Sequence, residues 1–229
     1  MISVVIPTRN AMPRLGALLA ALADPRLGGL VAEVVAVDGG SGDGTIEALE
    51  AAGCRVLHEA GGGRGRALRT GCAAATQDWL LALHADSLPA PRWEAAVLAH
   101  RAAHPDQAGW FDLRFDDASW RARLWERGVA WRSRALALPY GDQGLLIPRA
   151  LYEAVGGYPD QPLLEDVELA RRLGRPQLRP LGATVETSAE RYRREGWLRR
   201  SARNAVLLAR WRLGASAGDL AAAYSAEQK

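Results

Sequence analysis

Four short apolar runs mark the first half of the chain, and each gives way to a polar or glycine-rich break. Residues 2–6 (ISVVI), 33–37 (EVVAV), 55–59 (RVLHE) and 78–85 (DWLLALHA) are short and bounded by turn residues, which predicts strands. Between them, 13–23, 45–53 and 65–76 carry apolar residues at helical spacing, and Gly53 stops the second of these helices. Strand and helix alternate with short connections, so the pattern predicts an α/β fold with a mostly parallel sheet flanked by helices. Such sheets bind ligands outside the carboxyl ends of their strands. The breaks lie there: PTRN at 7–10, DGGSGDGT at 38–45, GGGRG at 61–65 and HADS at 84–87.

The second half is less regular. Helical spacing recurs at 92–104, 119–138 and 163–175, and the last of these has acids early and arginines late, as a helix dipole favours. Strands are expected at 109–115 and 144–148. From Arg191 onward the chain is Arg-rich with an apolar stripe. Its Arg and Trp residues either rest on an anionic membrane or pack on the core and face water. With 229 residues and 48% hydrophobic content, the chain fits one large domain with a small appendage: residues 1–190, then a helical tail, 191–229.

Composition narrows the function. Net charge is +3, and the basic residues are nearly all arginine, whose planar fork suits phosphate and carboxylate; the only lysine is Lys229. No basic run occurs in the first 60 residues, and no aromatic-plus-basic motif is present, which argues against nucleic acid. Cys54 and Cys72 lack metal-ligand spacing and read as two thiols in a reducing compartment. There is no signal-peptide pattern and no apolar run near ~18 residues, so a soluble cytoplasmic protein is expected.

Each break carries a chemical candidate beside a plainer reading. Asp86, at the end of the fourth strand, is either a turn former or a ligand for a hard divalent cation. Asp38 either closes a tight turn or accepts hydrogen bonds from a ribose or an imide, and Gly39, Gly40, Gly42 and Gly44 suit both. Ser41 or Asp43 is expected to cap the following helix. The stretch does not spell G-x-G-x-x-G, which disfavours a dinucleotide. GGGRGRAL is a flexible loop or an anion cradle at a helix start. Glu165 and Asp166 complement a helix dipole, or one of them serves as a general base; about 100° apart, only one faces a substrate. Asp142 and Gln143 in YGDQG form a turn or line a site. Arg191, Arg193 and Arg194 are solvated or clamp a phosphate.

Taken in order, VVIPTRN, VDGGSGDGT, GRGRAL, HADS and GGYPDQPLLEDVELARRLG resemble family-2 glycosyltransferases of the GT-A fold, over nearly the whole chain. LHADS, YGDQG, PLLEDVELARRLGR and TSAERYRREGW resemble a narrower branch, associated with radical-SAM and selenium or arsenosugar gene neighbourhoods. That branch includes the selenosugar synthases of selenoneine biosynthesis. The resemblance implies that Pro7, Thr8, Arg9 and Asn10 line the nucleotide and that Asp38 hydrogen-bonds uracil or ribose. It implies that Arg64, Gly65 and Arg66 border the uridine pocket. His84, Ala85 and Asp86 would contact the nucleotide sugar, with Asp86 holding Mg2+ or Mn2+. Asp166, beside Glu165, matches the family's base. Asp142, Gln143, Arg191 and Arg194 would meet an anionic acceptor.

The implied reaction is inverting, metal-dependent transfer from a UDP-sugar, UDP-N-acetylglucosamine, to selenophosphate, giving a 1-selenosugar. Alternatives are another small, arsenical or lipid acceptor, or a nucleotide-sugar-binding protein without catalysis. Two positions depart from the family pattern: Gly39 replaces a second acid, and His84 stands where an aspartate is common. One protein carboxylate is left for the metal. Selenophosphate is already anionic, so Asp166 would then position groups or repel a wrong acceptor rather than take a proton.

Overall fold

The computed structural model describes residues 1–59, 61 and 63–226. The first half follows the alternation: β1 (Ile2–Thr8), α1 (Met12–Leu22), β2 (Val31–Asp38), α2 (Thr45–Ala51), β3 (Arg55–His58), α3 (Gly63–Ala74) and β4 (Trp79–Ala82). These strands are parallel, in the order β3-β2-β1-β4. Then come β5 (Leu88–Pro89), α4 (Trp93–Ala103), β6 (Ala108–Phe115), α5 (Trp120–Leu136), β7 (Leu145–Pro148), α6 (Arg149–Ala154) and α7 (Glu165–Leu173). The chain continues with β8 (Leu178–Thr187), α8 (Glu190–Glu195), α9 (Trp197–Arg212) and α10 (Ala217–Ala226).

The eight-stranded sheet runs β3-β2-β1-β4-β7-β6-β8-β5. The expectation of a mostly parallel sheet therefore needs correction, because the sheet is mixed. β7 is antiparallel to both β4 and β6, and β5 is antiparallel to β8, while β6 and β8 pair in parallel. The antiparallel β7 has a consequence for chemistry. It starts where β4 ends, with Leu145 opposite Ala82. The turn before β7 is thereby set over the residues that follow β4.

The core shows the two-residue alternation of strands covered on both faces. Val4, Ile6, Leu81, Leu83 and Leu146 pack on one side with Leu18, Trp93 and Val97. Val5, Leu80 and Ile147 face the other side with Leu68, Val167 and Leu169. Gly71 allows close approach of α3 to the sheet, since a Cβ there would lie 2.5 Å from Val5 Cγ1.

β8 was not expected. Pro180 and Gly182 interrupt its pattern, and Gly182 has φ +75°. Both fall at an irregularity, where Trp110 pairs with Pro180 but Asp112 pairs with Thr184. Such a bulge accommodates residues that a regular ladder rejects. In the tail, Tyr192 and Trp197 stand against Phe115, each with ring centroids 5.2 Å away. Among the described residues no helix is long and apolar enough to cross a membrane.

Candidate active site

Parallel pairing brings the ends of β1 and β2 together, with Thr8 opposite Asp38. Asp38 is almost fully buried. Its carboxylate accepts the N–H groups of Gly40 (2.9 Å) and Ser41 (2.8 Å), the Ser41 hydroxyl, and the Thr8 hydroxyl (3.2 Å). Burial alone would raise its pKa, but these donors outweigh it and hold the carboxyl below its ordinary value. Asp38 thus shapes the glycine loop, and both its oxygens are engaged by the chain. Asn10 clasps the same loop: its N–H donates to Ser41 Oγ (2.8 Å) and its Oδ1 accepts from Gly42 N–H (3.0 Å). The expected cap on α2 is met only in part, because Asp43 lies one residue before the N-cap position. Gly44 occupies that position with φ 87° and has no side chain to cap the helix, so the first N–H of α2 is taken up from one residue earlier, by Asp43. Asp43 accepts from the N–H groups of Thr45 and Met12, the first residues of α2 and α1, and so ties the two helix starts together. Pro7 is half-buried, while Arg9 is exposed, its stem running past Gly39.

β4 stops at Ala82, so His84, Ala85 and Asp86 lie in the loop beyond it. Asp86 is exposed, and its carboxylate makes no hydrogen bond or ion pair with the described residues. His84 turns the other way. Its Nε2 is buried without a hydrogen-bond partner. A Cβ on Gly141 would sit 2.7 Å from that nitrogen and 3.3 Å from Asp166 Oδ2. His84 and Asp166 therefore converge on one glycine, contributed by the turn before β7. Asp166 is fixed there by the Gly141 N–H (2.6 Å) and by its own helix through Val167 N–H (2.8 Å). Burial, with the Arg64 and Arg191 charges, holds the His84 pKa well below its ordinary value.

Asp142 Oδ1 is likewise buried and unpartnered. Burial pushes its pKa up to about 6; Arg132 opposes this, and the Asp166 and Asp86 charges add to it. Glu165 is fully buried and is paired through Oε1 with Arg64, while its Oε2 has no partner. Gly65 makes that pairing possible. A Cβ there would lie 2.5 Å from the Gln161 carbonyl and 2.8 Å from that of Pro159, so only glycine lets α3 reach the segment that leads into α7.

The remaining expected residues divide. Arg191 is exposed, and its charge acts on His84. Arg194 is directed to solvent, 3.7 Å from Glu195. Arg66 sits at the surface, 3.1 Å from Glu59. Gln143 is a correction. It is fully buried, its Nε2 donates to the Phe111 carbonyl (3.0 Å), and its Oε1 accepts from Ser133, Arg132 and Tyr140. Fully buried, it braces the turn and presents no surface to an acceptor. Arg132, which sequence reasoning missed, stacks over Tyr140 at 3.4 Å and acts on Asp142. Its signal was masked by the other arginines of α5.

Among the described residues no group of three His, Cys, Asp or Glu side chains can hold an ion. The residues do fit a hard cation that carries most of its ligands as water and phosphate oxygens, because Asp86 offers one free carboxylate. They do not form a closed cage.

The fold resembles the mannosyltransferase PcManGT from Pyrobaculum calidifontis, solved with GDP-Man and Mn2+ (TM-score 0.69, 22% identity, 94% of this chain and 65% of that one). It also resembles S. aureus TarS 1-349 in complex with UDP-GlcNAc (0.63, 16%, 82% and 58%). A third similar structure is glucosyl-3-phosphoglycerate synthase from Mycobacterium tuberculosis with Mn2+, UDP and glucosyl-3-phosphoglycerate (0.56, 20%, 82% and 70%). At these identities the likeness is one of fold. The chain spans less than two thirds of the TarS and PcManGT chains it matches. No curated protein sequence matches it. The pattern described as Glycosyl transferase family 2 matches residues 3–151, short of Glu165, Asp166 and Arg191. It spans β1 through β7, including the Asp38 loop and Asp86, and the chain belongs to this glycosyltransferase family.

Proposed function

We propose that this glycosyltransferase is inverting and metal-dependent, and that it transfers N-acetylglucosamine from its UDP derivative to selenophosphate, giving a 1-selenosugar. One observation carries the transferase chemistry: a partner-free carboxylate, Asp86, shares one end of the sheet with His84 and Asp166 converged on Gly141. Thr8–Asn10 and the Asp38-locked glycine loop form the floor for the nucleotide, with exposed Arg9 and Asn10 toward it. Asp86 would hold a Mg2+ or Mn2+ ion, which neutralises charge on the departing diphosphate when bound. Arg64 borders this region from the start of α3.

The acceptor attacks the anomeric carbon from the face opposite UDP, which breaks the bond to the departing UDP and inverts the configuration; attack through selenium leaves the phosphoryl group on selenium, and water must then cleave that Se–P bond to free the 1-selenosugar. For a hydroxyl acceptor, an Asp166 oxygen would take the proton. Selenophosphate needs no such step, and Asp166, held by two N–H donors, would then position neighbouring groups or repel a wrong acceptor. The sequence resemblance supports selenophosphate, and the exposed Arg191 supports an anionic acceptor. Cys54 and Cys72 are free thiols, in keeping with a reducing, cytoplasmic setting. The single carboxylate and the two hydrogen bonds on Asp166 favour a second reading, a nucleotide-sugar-binding protein without turnover.

The test is UDP release from UDP-N-acetylglucosamine with Mg2+ or Mn2+, with and without selenophosphate, the products being read by mass spectrometry. Selenophosphate-dependent release with a selenium-bearing sugar is expected, and Asp86→Ala should abolish the metal dependence. Release only with arsenical, hydroxyl or lipid acceptors would overturn the acceptor. Binding without release for any acceptor would establish the second reading.

A further inference from the structure

The outer faces of α5 and α9 are not used by the active site, and they carry an unusual surface. On α5, Trp120 is 69% exposed, Leu124 50% and Trp131 64%. Their spacing of four and seven residues places them on one face, opposite the side where Ala122 and Ser133 are buried. On α9, Leu198 is 77% exposed and Val206 56%. They flank Ala202 on the face turned away from buried Leu207. The two helices lie side by side: Trp125 Nε1–H donates to Ser201 Oγ (2.5 Å), and Trp125 meets Trp197 at 5.7 Å.

The charge on this surface has one sign. Arg121, Arg127, Arg199 and Arg210 are exposed, and none makes an ion pair among the described residues. Arg121 only stacks over Trp120, at 5.4 Å. The one acid of α5, Glu126, is taken by Arg123, and α9 has no acid. Exposed tryptophans interleaved with unpaired arginines match an interface that is apolar within and anionic at its surface. Arginine stems bury beside the apolar groups while the guanidinium groups reach phosphates. A second copy of the chain fits poorly, because the same face would meet itself with like charge on both sides.

We infer that the α5–α9 face is a peripheral docking surface for an anionic lipid bilayer, with Trp120 and Trp131 inserted at the headgroup level. This inference does not rest on the donor or acceptor proposed above. The turn after α5 carries Tyr140 and Asp142, and α8, just before α9, carries Arg191. Docking would therefore hold the acceptor side of the site near the membrane.

The experiment is co-sedimentation of the full chain with vesicles of phosphatidylcholine alone, or of phosphatidylcholine with phosphatidylglycerol, at low and high salt. Binding is expected only to the anionic vesicles, weakening as salt rises. A Trp120→Ser/Trp131→Ser variant should lose it, as should Arg127→Glu/Arg199→Glu. Each arginine-to-glutamate reversal changes the charge by two units and is expected to weaken binding about 25-fold, at roughly fivefold per interfacial charge. All four positions are exposed, so unchanged melting curves will show that the variants fold. Equal binding to neutral vesicles, or none to either, would overturn the inference. So would concentration-dependent dimers, seen by sedimentation without lipid and abolished by the tryptophan substitutions, since the face would then be a self-interface.

Discussion

The Arg64–Glu165 pair joins the start of α3 to the start of α7, and Arg64→Met isolates its contribution by removing charge while keeping bulk. Glu165 has no exposed surface, one oxygen without any partner, and Asp166 as a like-charged neighbour. Removing one partner of a buried pair costs about 3–5 kcal/mol, because the other charge stays buried. Arg64 is 40% exposed, so water already screens the pair. The expected loss is therefore about 2–3 kcal/mol. For a chain of this size, at 2–4 °C per kcal/mol, that lowers Tm by roughly 4–12 °C.

The pH dependence has a definite sign. Burial, opposed by Arg64, leaves the Glu165 pKa above its ordinary value of 4.5. A raised folded-state pKa contributes stability that is full below the ordinary value and lost as pH rises through the raised one. Without Arg64 the folded-state value climbs further, so the deficit of Arg64→Met should widen toward pH 8 and shrink toward pH 5. Calorimetric melts of wild type, Arg64→Met, Glu165→Gln and the double variant provide the assay. The double variant should recover most of the loss, since no charge is stranded. A Tm within about 1 °C of wild type for Arg64→Met, or additive losses in the double variant, would refute the reasoning.

Other outcomes follow from the same geometry. Asp142, with its pKa raised to about 6, loses stability as pH rises through that value; Asp142→Asn should melt higher than wild type at pH 8, with the gain fading through about pH 6 and gone below about pH 4. A gain that is constant across pH would contradict this. Gly65→Ala removes a helix-weakening glycine yet places a Cβ 2.5 Å from the Gln161 carbonyl; overpacking should win by about 1–3 kcal/mol, and an unchanged or higher Tm would show that the segment yields.

Much of the first half was legible because its signals are local. The β-branched and leucine runs alternate with helical spacing, and the glycines and prolines punctuate them where parallel strands end. Placing Asp38, Asp86 and the PTRN segment at one end of the sheet needed nothing beyond that alternation and the right-handed crossover rule. Glu165 and Asp166 could be read as a helix start, and they are the first residues of α7.

The tertiary structure decided what depends on partners distant in sequence. Whether Glu165 or Asp166 faces the site follows from Gly65, a hundred residues earlier, which admits Arg64 to Glu165 and leaves Asp166 to Gly141. Gln143 reads as a polar turn residue, yet burial makes it a brace, because Phe111 and Ser133 surround it only once β6 and α5 have packed. The direction of β7 was not encoded in LLIP, since an apolar run of four pairs equally well either way; the path of α5 and the turn at 141–143 fixed it. Sequence by itself determined the elements and the end of the sheet at which chemistry gathers, because periodicity and backbone preference act within a few residues. Only the packed chain decided which side chains there are buried, paired or left free, because burial and charge pairing arise between segments that meet in space alone.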